Sequence, residues 1–179
     1  MARLTYVKPD TNLAEVELLY AEFRRLGRPV AHLYQALANQ PPALRAFLGM
    51  SRYVRDESSL SPALRELAIL ATARELRQPY ETAHHRRVAR GIGVSDEELA
   101  AIDEGAWDRF PSGTQHVLEY ASQVGRTRTV SDVTFAQLVR DLPLATVTDL
   151  VVTVAWYHFC AAILGPLEIE VEEELPPGR

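Results

Sequence analysis

The chain has very little cysteine, and this scarcity limits its chemistry. Cys160 is the only cysteine in 179 residues, so an internal disulfide and any reaction that needs a dithiol are excluded. Positive charge is also in deficit, because 19 Lys and Arg face 24 Asp and Glu, for a net charge of −5. Nucleic acids and anionic membranes both attract basic surfaces, so neither is an expected partner, whereas a small molecule is.

Segments that direct export or divide a chain are also lacking. The N-terminal residues 1–6 have no apolar core of a signal peptide, and we expect no segment of membrane-spanning length. A cytoplasmic location is therefore predicted. No internal repeat or Gly/Ser linker interrupts the sequence, so residues 1–179 are predicted to form one domain.

Apolar periodicity and capping residues predict helices along the whole chain. The predicted segments are 12–26 with Asn12 as its cap, 31–38, a helix from Pro41, 61–76, 79–90, 96–105, 114–124, 131–139 and 145–164. The 61–76 helix is apolar nearly all round, so we expect it at the centre of the core. The run Val151–Val154 could form a buried strand, but no second strand is available to pair with it. The predicted fold is an all-α bundle of about seven to eight helices with a partly ordered acidic arm over 168–179.

The helix predicted after Gln78 carries an acid and a base on one face. Pro79 suits a first helical position, and Gly91 or Gly93 suits the left-handed residue that closes a helix. Glu81 and His85 are four residues apart, so they lie one turn apart and could exchange a proton. Ser95, followed three residues later by Glu, predicts a capping box at the start of the next helix.

Several segments together carry a family pattern: 33–41, Ser61–Leu67, Tyr80–Glu81 with His85, Gly91–Ser95, and Trp156–Tyr157. They resemble the carboxymuconolactone decarboxylase family, which includes the alkylhydroperoxidase D proteins, and the resemblance covers about residues 30–170. It implies an all-α fold that assembles into homo-oligomers, trimers or hexamers, with the site near the subunit contact.

The resemblance also separates two branches of the family. The peroxidase branch has a Cys-x-x-Cys motif before the histidine, and the two cysteine positions fall here on Gln78 and Glu81. Peroxide reduction by that route needs a nucleophilic thiolate and a resolving partner, so it is excluded. Glu66, Glu81 and His85 remain as the catalytic candidates, and they resemble the decarboxylase-like branch.

Acid–base chemistry gives each candidate an expected role. The helix dipole near the N-terminus disfavours imidazolium, so His85 is expected to be a neutral base, although His84 remains the alternative histidine. Glu81 is expected to hydrogen-bond the imidazole, and Glu66 to take or give the proton. Further substrate-binding candidates are Tyr80, His84, Tyr157, His158 and Arg86, with Arg65, Arg87 and Arg90 as other possible carboxylate ligands.

Metal binding and cofactors are not expected. Glu81 and His84 form a Glu-x-x-His pair, but a di-iron bundle needs a second copy and the sequence has none. Decarboxylation of a conjugated acid requires no cofactor, because the substrate itself accepts the electrons.

Two functions follow from these observations. The first is a decarboxylase-like, cofactor-independent proton-transfer enzyme acting on a small carboxylated lactone or keto acid. The second is a non-catalytic homo-oligomer that binds a small molecule or serves as a scaffold. The apolar stretch 145–164 predicts self-association in either case.

Overall fold

A computed structural model of the protein describes residues 2–173. These residues form nine α-helices and no β-strand, which confirms the predicted fold class. The helices are α1 (Ala14–Arg25), α2 (His32–Leu37), α3 (Pro41–Arg52), α4 (Pro62–Glu75), α5 (Pro79–Gly91), α6 (Asp96–Glu104), α7 (Ser112–Thr127), α8 (Asp132–Asp141) and α9 (Leu144–Leu167). A π-helical turn, Tyr53–Glu57, follows α3, and a 3-10 turn, Trp107–Arg109, precedes α7. The nine helices correspond to the nine segments predicted one by one, so the predicted total of seven to eight is slightly too low.

The helix termini follow the capping chemistry of the sequence, with one exception. The hydroxyl of Ser61 accepts the backbone N–H of the third α4 residue at 3.3 Å, and Ser95 forms the predicted capping box at α6. Gly93 takes the left-handed conformation after α5, with φ of +93°. Asn12 is not a cap, because α1 starts later than predicted and Leu13 precedes it without a side-chain hydrogen bond.

Helix α4 is the central element, as predicted. It packs against α5, α6, α7 and α9, and Ala68, Ile69 and Ala71 are 0–1% exposed. Alanines let neighbouring helices approach closely, and Gly125 of α7 lies directly against Glu75 of α4. This packing holds the buried side chains of α4, which include Glu66.

Helix α9 is longer than the sequence analysis allows. Its 24 residues are long and apolar enough to cross a membrane by length and composition, with a mean hydropathy of 1.7, so the expectation that no segment reaches this length is wrong. Asp149, Thr153 and His158 interrupt the apolar run in the sequence, but too few charged residues lie in it to exclude a span. One such helix is weak evidence, since core helices of soluble proteins pass the same test.

A π-helical turn at the end of α3 is held in place by a buried carboxylate. Asp149 of α9 accepts hydrogen bonds from the hydroxyl of Tyr53 at 2.5 Å and from the backbone N–H and hydroxyl of Ser59 at 2.7 and 2.6 Å. These bonds hold both ends of the segment 53–59 against α9. The turn carries Arg55, which faces the site described below.

The two ends of the described chain pack together. The backbone N–H of Arg3 donates to the carbonyl of Leu167 at 2.9 Å, and its guanidinium pairs with Glu168 at 2.6 Å. The hydroxyl of Tyr6 contacts the carboxylate of Glu170 at 3.0 Å. The predicted acidic arm is therefore packed on the body of the protein through residue 173, and its last part, 174–179, lies outside the described residues.

Candidate active site

A buried glutamate–histidine pair forms the centre of the site. His85 on α5 lies opposite Glu66 on α4, with 2.6 Å between Nδ1 and Oε2, and the two residues are 6% and 2% exposed. A carboxylate can only accept a hydrogen bond, so Nδ1 carries the hydrogen and Nε2 holds the lone pair when the ring is neutral. The pair therefore presents a fixed, correctly oriented base.

The electrostatics of this pair support a neutral imidazole beside an ionised carboxylate. Burial lowers the pKa of His85 below its ordinary value, and the charges of Arg55 and His84 lower it further against the opposing effect of Glu66. Burial alone would raise the pKa of Glu66, but His85, Arg65 and Arg55 outweigh it and hold that pKa below its ordinary value. At neutral pH, Glu66 is the anion and His85 can accept a proton.

Glu81 is the second carboxyl group of the site, and its state is the opposite of that of Glu66. It is 3% exposed, and neither of its carboxyl oxygens has a hydrogen-bond partner within residues 2–173. Burial raises its pKa to about 8, so it is mainly protonated at pH 7. The prediction that Glu81 forms a hydrogen bond with the imidazole is wrong, because Glu66 of α4 occupies the position at Nδ1 of His85. Glu81 is thus a buried carboxylic acid whose proton is not engaged in a hydrogen bond within the described residues.

Both carboxyls and the histidine line a cavity of about 200 Å³. The wall opposite them is mainly aromatic: Phe47 and Trp156 have ring centroids 4.5 Å apart, and Tyr34 packs on Phe47 at 5.9 Å. The other lining residues are Phe23, Arg28, Pro29, Ala31, Leu33, Ser51, Arg55, Asp56, Arg65, Tyr80, His84, Val88, Tyr157, Cys160 and Leu164. A cavity of this size and composition suits a small molecule that has both an apolar part and a polar or charged group.

Tyr157 and Cys160 of α9 close one side of this cavity. The ring of Tyr157 meets His85 edge to face, with centroids 4.8 Å apart, which places this predicted residue in the site. Cys160, the only cysteine of the sequence, also lines the cavity. Burial raises the pKa of its thiol, and Glu81 raises it further, so the thiol stays protonated and poorly nucleophilic.

His84 and Tyr80 line the same cavity but belong to a second hydrogen-bond cluster. Nε2 of His84 lies 2.6 Å from the carboxylate of Glu172, which also accepts the hydroxyl of Tyr80 at 2.9 Å and the backbone N–H of His32 at 2.5 Å. Burial raises the pKa of Glu172, but the hydrogen bonds from His84 and from the backbone N–H of His32 outweigh it and lower that pKa to about 2. His84 is therefore committed to the C-terminal arm, which favours His85 as the functional histidine.

Two of the predicted substrate-binding residues lie elsewhere. Arg86 pairs with Asp103 of α6 at 2.5 Å and does not line the cavity, because its position on α5 faces α6. His158 is also outside it, since its neighbour Tyr157 takes the inward face of α9; its Nε2 is buried without a partner within residues 2–173. Sequence spacing places these residues on helices correctly but does not say which face meets the cavity.

The sequence analysis missed two arginines of the site, Arg28 and Arg55. Arg28 lies in a loop between helices and Arg55 in the π-helical turn, and neither segment has a periodicity that indicates orientation. For Arg28, the neighbouring Gly27 and Pro29 indicate a turn beside the site helices but not its direction. No group of three or more His, Cys, Asp or Glu residues within 2–173 is arranged to hold a metal ion.

The fold and the site together define a helical protein with a buried glutamate–histidine pair beside a small cavity. Residues 41–123, which include Glu66, Glu81 and His85, match the model of the carboxymuconolactone decarboxylase family. The similarity to that family lies in this segment, which contains helices α4 and α5. Among curated protein sequences, none is significantly similar to this chain.

Solved structures with the alkylhydroperoxidase D-like fold resemble the whole described body. The debrominase Bmp8 in complex with 2,3,4-tribromopyrrole has a TM-score of 0.80 at 15% identity, with 97% of this chain and 95% of that chain covered. A peroxidase-related protein from Silicibacter sp. TM1040 has a TM-score of 0.81 at 15% identity, covering 97% and 96%. A peroxidase-related protein from Ralstonia eutropha JMP134 with an alkylhydroperoxidase AhpD core reaches 0.78 at 16%, covering 96% and 95%. At these identities the likeness shows the fold alone.

Proposed function

We propose that this protein is a cofactor-independent enzyme of the decarboxylase type that acts on a small carboxylated lactone or keto acid. The observation that carries the proposal is the pairing of two buried carboxyls in opposite states beside one histidine. Glu66 orients His85 as a base through the 2.6 Å contact at Nδ1, while Glu81 keeps its proton at pH 7. A base and an acid on one cavity are what a proton-transfer reaction requires.

The reaction can be written with this chain's residues alone. In a substrate whose carboxylate is conjugated to a carbonyl, the carbon–carbon bond to CO₂ breaks and its electron pair moves into the conjugated system. Glu81 protonates the resulting carbanion, and the carboxylate so formed recovers a proton from water or product. Beforehand, His85 can remove a proton from one carbon of the substrate and return it to another, which brings the substrate into the conjugated form and leaves the imidazole neutral.

Two features support catalysis over passive binding. A protein that only binds or serves as a scaffold gains nothing from a carboxyl left without a hydrogen-bond partner at 3% exposure, because such burial costs stability. Family members also include enzymes, and Bmp8, which shares the fold, binds a small planar ring. Perturbed acids and bases in a cavity are typical of active sites.

The experiment is a turnover assay with a panel of carboxylated lactones and β-keto acids. His85→Gln should lower kcat by about 10²–10⁴, the usual contribution of general acid–base catalysis, with little change in thermal stability. His116→Gln is the matched control, since His116 also contacts a carboxylate, that of Asp141 at 2.5 Å, but lies outside the cavity. Turnover by His85→Gln equal to that of the wild type would show that the proposed relay is wrong.

We also propose that the protein is a cytoplasmic homo-oligomer, a trimer or hexamer. The support is the apolar surface that α9 leaves exposed, with Leu144 at 69%, Val151 at 38% and Phe159 at 52%. Apolar stripes of this kind on soluble proteins mark interfaces.

A further inference from the structure

Three arginines line the cavity, and they differ in what holds them. Arg65 is already engaged: Nη1 donates to the carbonyl of Arg55 at 2.7 Å, and Nε lies 3.5 Å from Glu66. Arg55 is solvent-accessible, and its guanidinium forms no ion pair with a carboxylate of residues 2–173. Arg28 is half-buried at the edge of the cavity. Besides the neutral Glu81, the lining holds two acidic side chains, Asp56 and Glu66, against these three arginines, so positive charge is in excess.

The position of Arg55 is set by the π-helical turn Tyr53–Glu57. A π-helical turn adds a residue relative to an α-helical one and so redirects the side chains that follow, which is why such turns are common at functional sites. Asp149 holds the flanking Tyr53 and Ser59 against α9 through three hydrogen bonds. The charge of Arg55 acts on Tyr34, Tyr157 and Glu66, so it lies close to the reacting end of the cavity.

Aromatic rings of the lining offer an apolar surface made of tilted faces and edges, with 71° between Tyr34 and Phe47 and 51° between Phe47 and Trp156. The rings of Phe47 and Trp156 are 4.5 Å apart, and those of Tyr34 and Phe47 are 5.9 Å apart. Planar conjugated molecules pack well on such rings, whereas a charged end group needs a partner when it leaves water. A cavity of about 200 Å³ accommodates a single small ring or a short conjugated chain.

We propose that Arg55 is the anion-binding residue of this site, and that the ligand is a small planar unsaturated monocarboxylate whose apolar part packs on the aromatic wall. The inference rests on the proposed function in treating the cavity as the substrate site. Arginine binds a carboxylate through two parallel N–H···O hydrogen bonds, and these fix the orientation of the ligand as well as adding affinity. The conjugated carbon chain then lies between Arg55 and Glu81.

The test compares benzoate with benzamide, its neutral analogue of the same shape. Binding is measured by calorimetry and by chemical-shift changes of the cavity residues. Wild-type protein should bind benzoate about ten- to a hundredfold more tightly than benzamide, the range expected for a charge-assisted hydrogen bond. Arg55→Gln should lose this preference while keeping its affinity for benzamide. Arg52→Gln is the matched control, because Arg52 ends α3 and pairs with Glu57 outside the cavity.

Three outcomes would overturn the inference: no saturable binding of benzoate to wild type, equal affinity for the two probes, or an unchanged preference in Arg55→Gln. These measurements test the anion site separately from the proposed proton relay. His85→Gln should retain benzoate binding, since the ring does not hold the carboxylate. If Arg55 controls the preference but His85→Gln keeps full turnover, the anion site stands and the proton relay fails. If Arg55→Gln keeps the preference for benzoate but His85→Gln loses turnover, the anion site fails and the proton relay stands.

Discussion

At the scale of single residues, the site depends on three titratable side chains whose burial is similar and whose surroundings are not. Glu66 and Glu81 are both at most 3% exposed. Glu66 contacts His85 and lies near two arginines, so it is ionised, whereas Glu81 has no hydrogen-bond partner in the described chain and keeps its proton. Glu66 is therefore ionised and Glu81 protonated because their hydrogen-bond and charge partners differ, and not because one is more deeply buried than the other.

The unusual state of Glu81 makes stability depend on pH. The folded-state pKa of Glu81, about 8, lies above the ordinary value of 4.5. The contribution of Glu81 to the free energy of unfolding is therefore fully present below pH 4.5 and is lost as the pH rises toward 8. The loss amounts to about 1.4 kcal/mol per pH unit across that window. Compared with wild type, Glu81→Gln should lose less stability between pH 5 and 8, as measured by urea denaturation.

A matched comparison isolates this effect. Glu119→Gln changes a carboxyl on α7 that contacts Gln123 outside the cavity, and it should leave the wild-type pH dependence in place. Parallel stability curves for wild type and Glu81→Gln across pH 5 to 8 would contradict the assignment of Glu81 as the buried acid.

At the scale of elements, the contact between α4 and α7 fixes the position of Glu66. Gly125 of α7 is so close to α4 that a Cβ added there would lie 2.7 Å from Cβ of Glu75. This is shorter than any normal carbon–carbon contact, so the two helices can approach only because position 125 lacks a side chain. The close approach holds α4 in the register at which its carboxylate meets His85.

Gly125→Ala should therefore separate the two helices. The expected cost is about 1–3 kcal/mol of unfolding free energy, the range for overpacked cores, because the backbone of α4 must move. Gly113→Ala on the same helix has nothing within 4 Å of the added Cβ and should be neutral or slightly stabilising. The measurement is the melting temperature of both variants compared with that of the wild type. An equal melting temperature for Gly125→Ala and wild type would contradict the close contact.

At the scale of the whole molecule, the exposed face of α9 is an apolar surface without a partner in the described chain. Leu144, Val151 and Phe159 are 69%, 38% and 52% exposed, and their spacing of seven and eight residues places them on one face of the helix. The opposite face packs in the core through Leu150 and Val154. Helix α9 therefore links the cavity wall to the surface where we propose a second copy binds.

Val151→Lys should dissociate the oligomer because it places a charge in the apolar contact. The expected result in analytical ultracentrifugation at micromolar concentration is a shift from a trimer or hexamer toward a monomer of 20.0 kDa. Val133→Lys on α8, where Val133 is 70% exposed, is the control and should leave the assembly unchanged. Wild-type protein that sediments as a monomer would contradict the proposal.

The sequence by itself determined the helices, their caps and the histidine–carboxylate pattern, because these depend on neighbours within a few residues along the chain. Ser61, Ser95 and Pro79 mark helix starts through local hydrogen bonds and ring geometry, and the spacing of Glu81 and His85 follows from one helical turn. The family pattern added Glu66 to this set. No local signal, however, says which carboxyl on two different helices reaches the imidazole.

Only the tertiary structure decided the orientation and the charges of the site. The packing of α4 on α5 brought Glu66 into contact with His85 and left Glu81 without a partner. Burial raises the pKa of both carboxyls, but only Glu66 has partners that outweigh it, so the two pKa values moved in opposite directions. The π-helical turn brought Arg55 to the cavity, while Arg86 and His158 turned away from it. These outcomes depend on distances between segments far apart in the chain, and such distances are fixed by packing and not by sequence spacing.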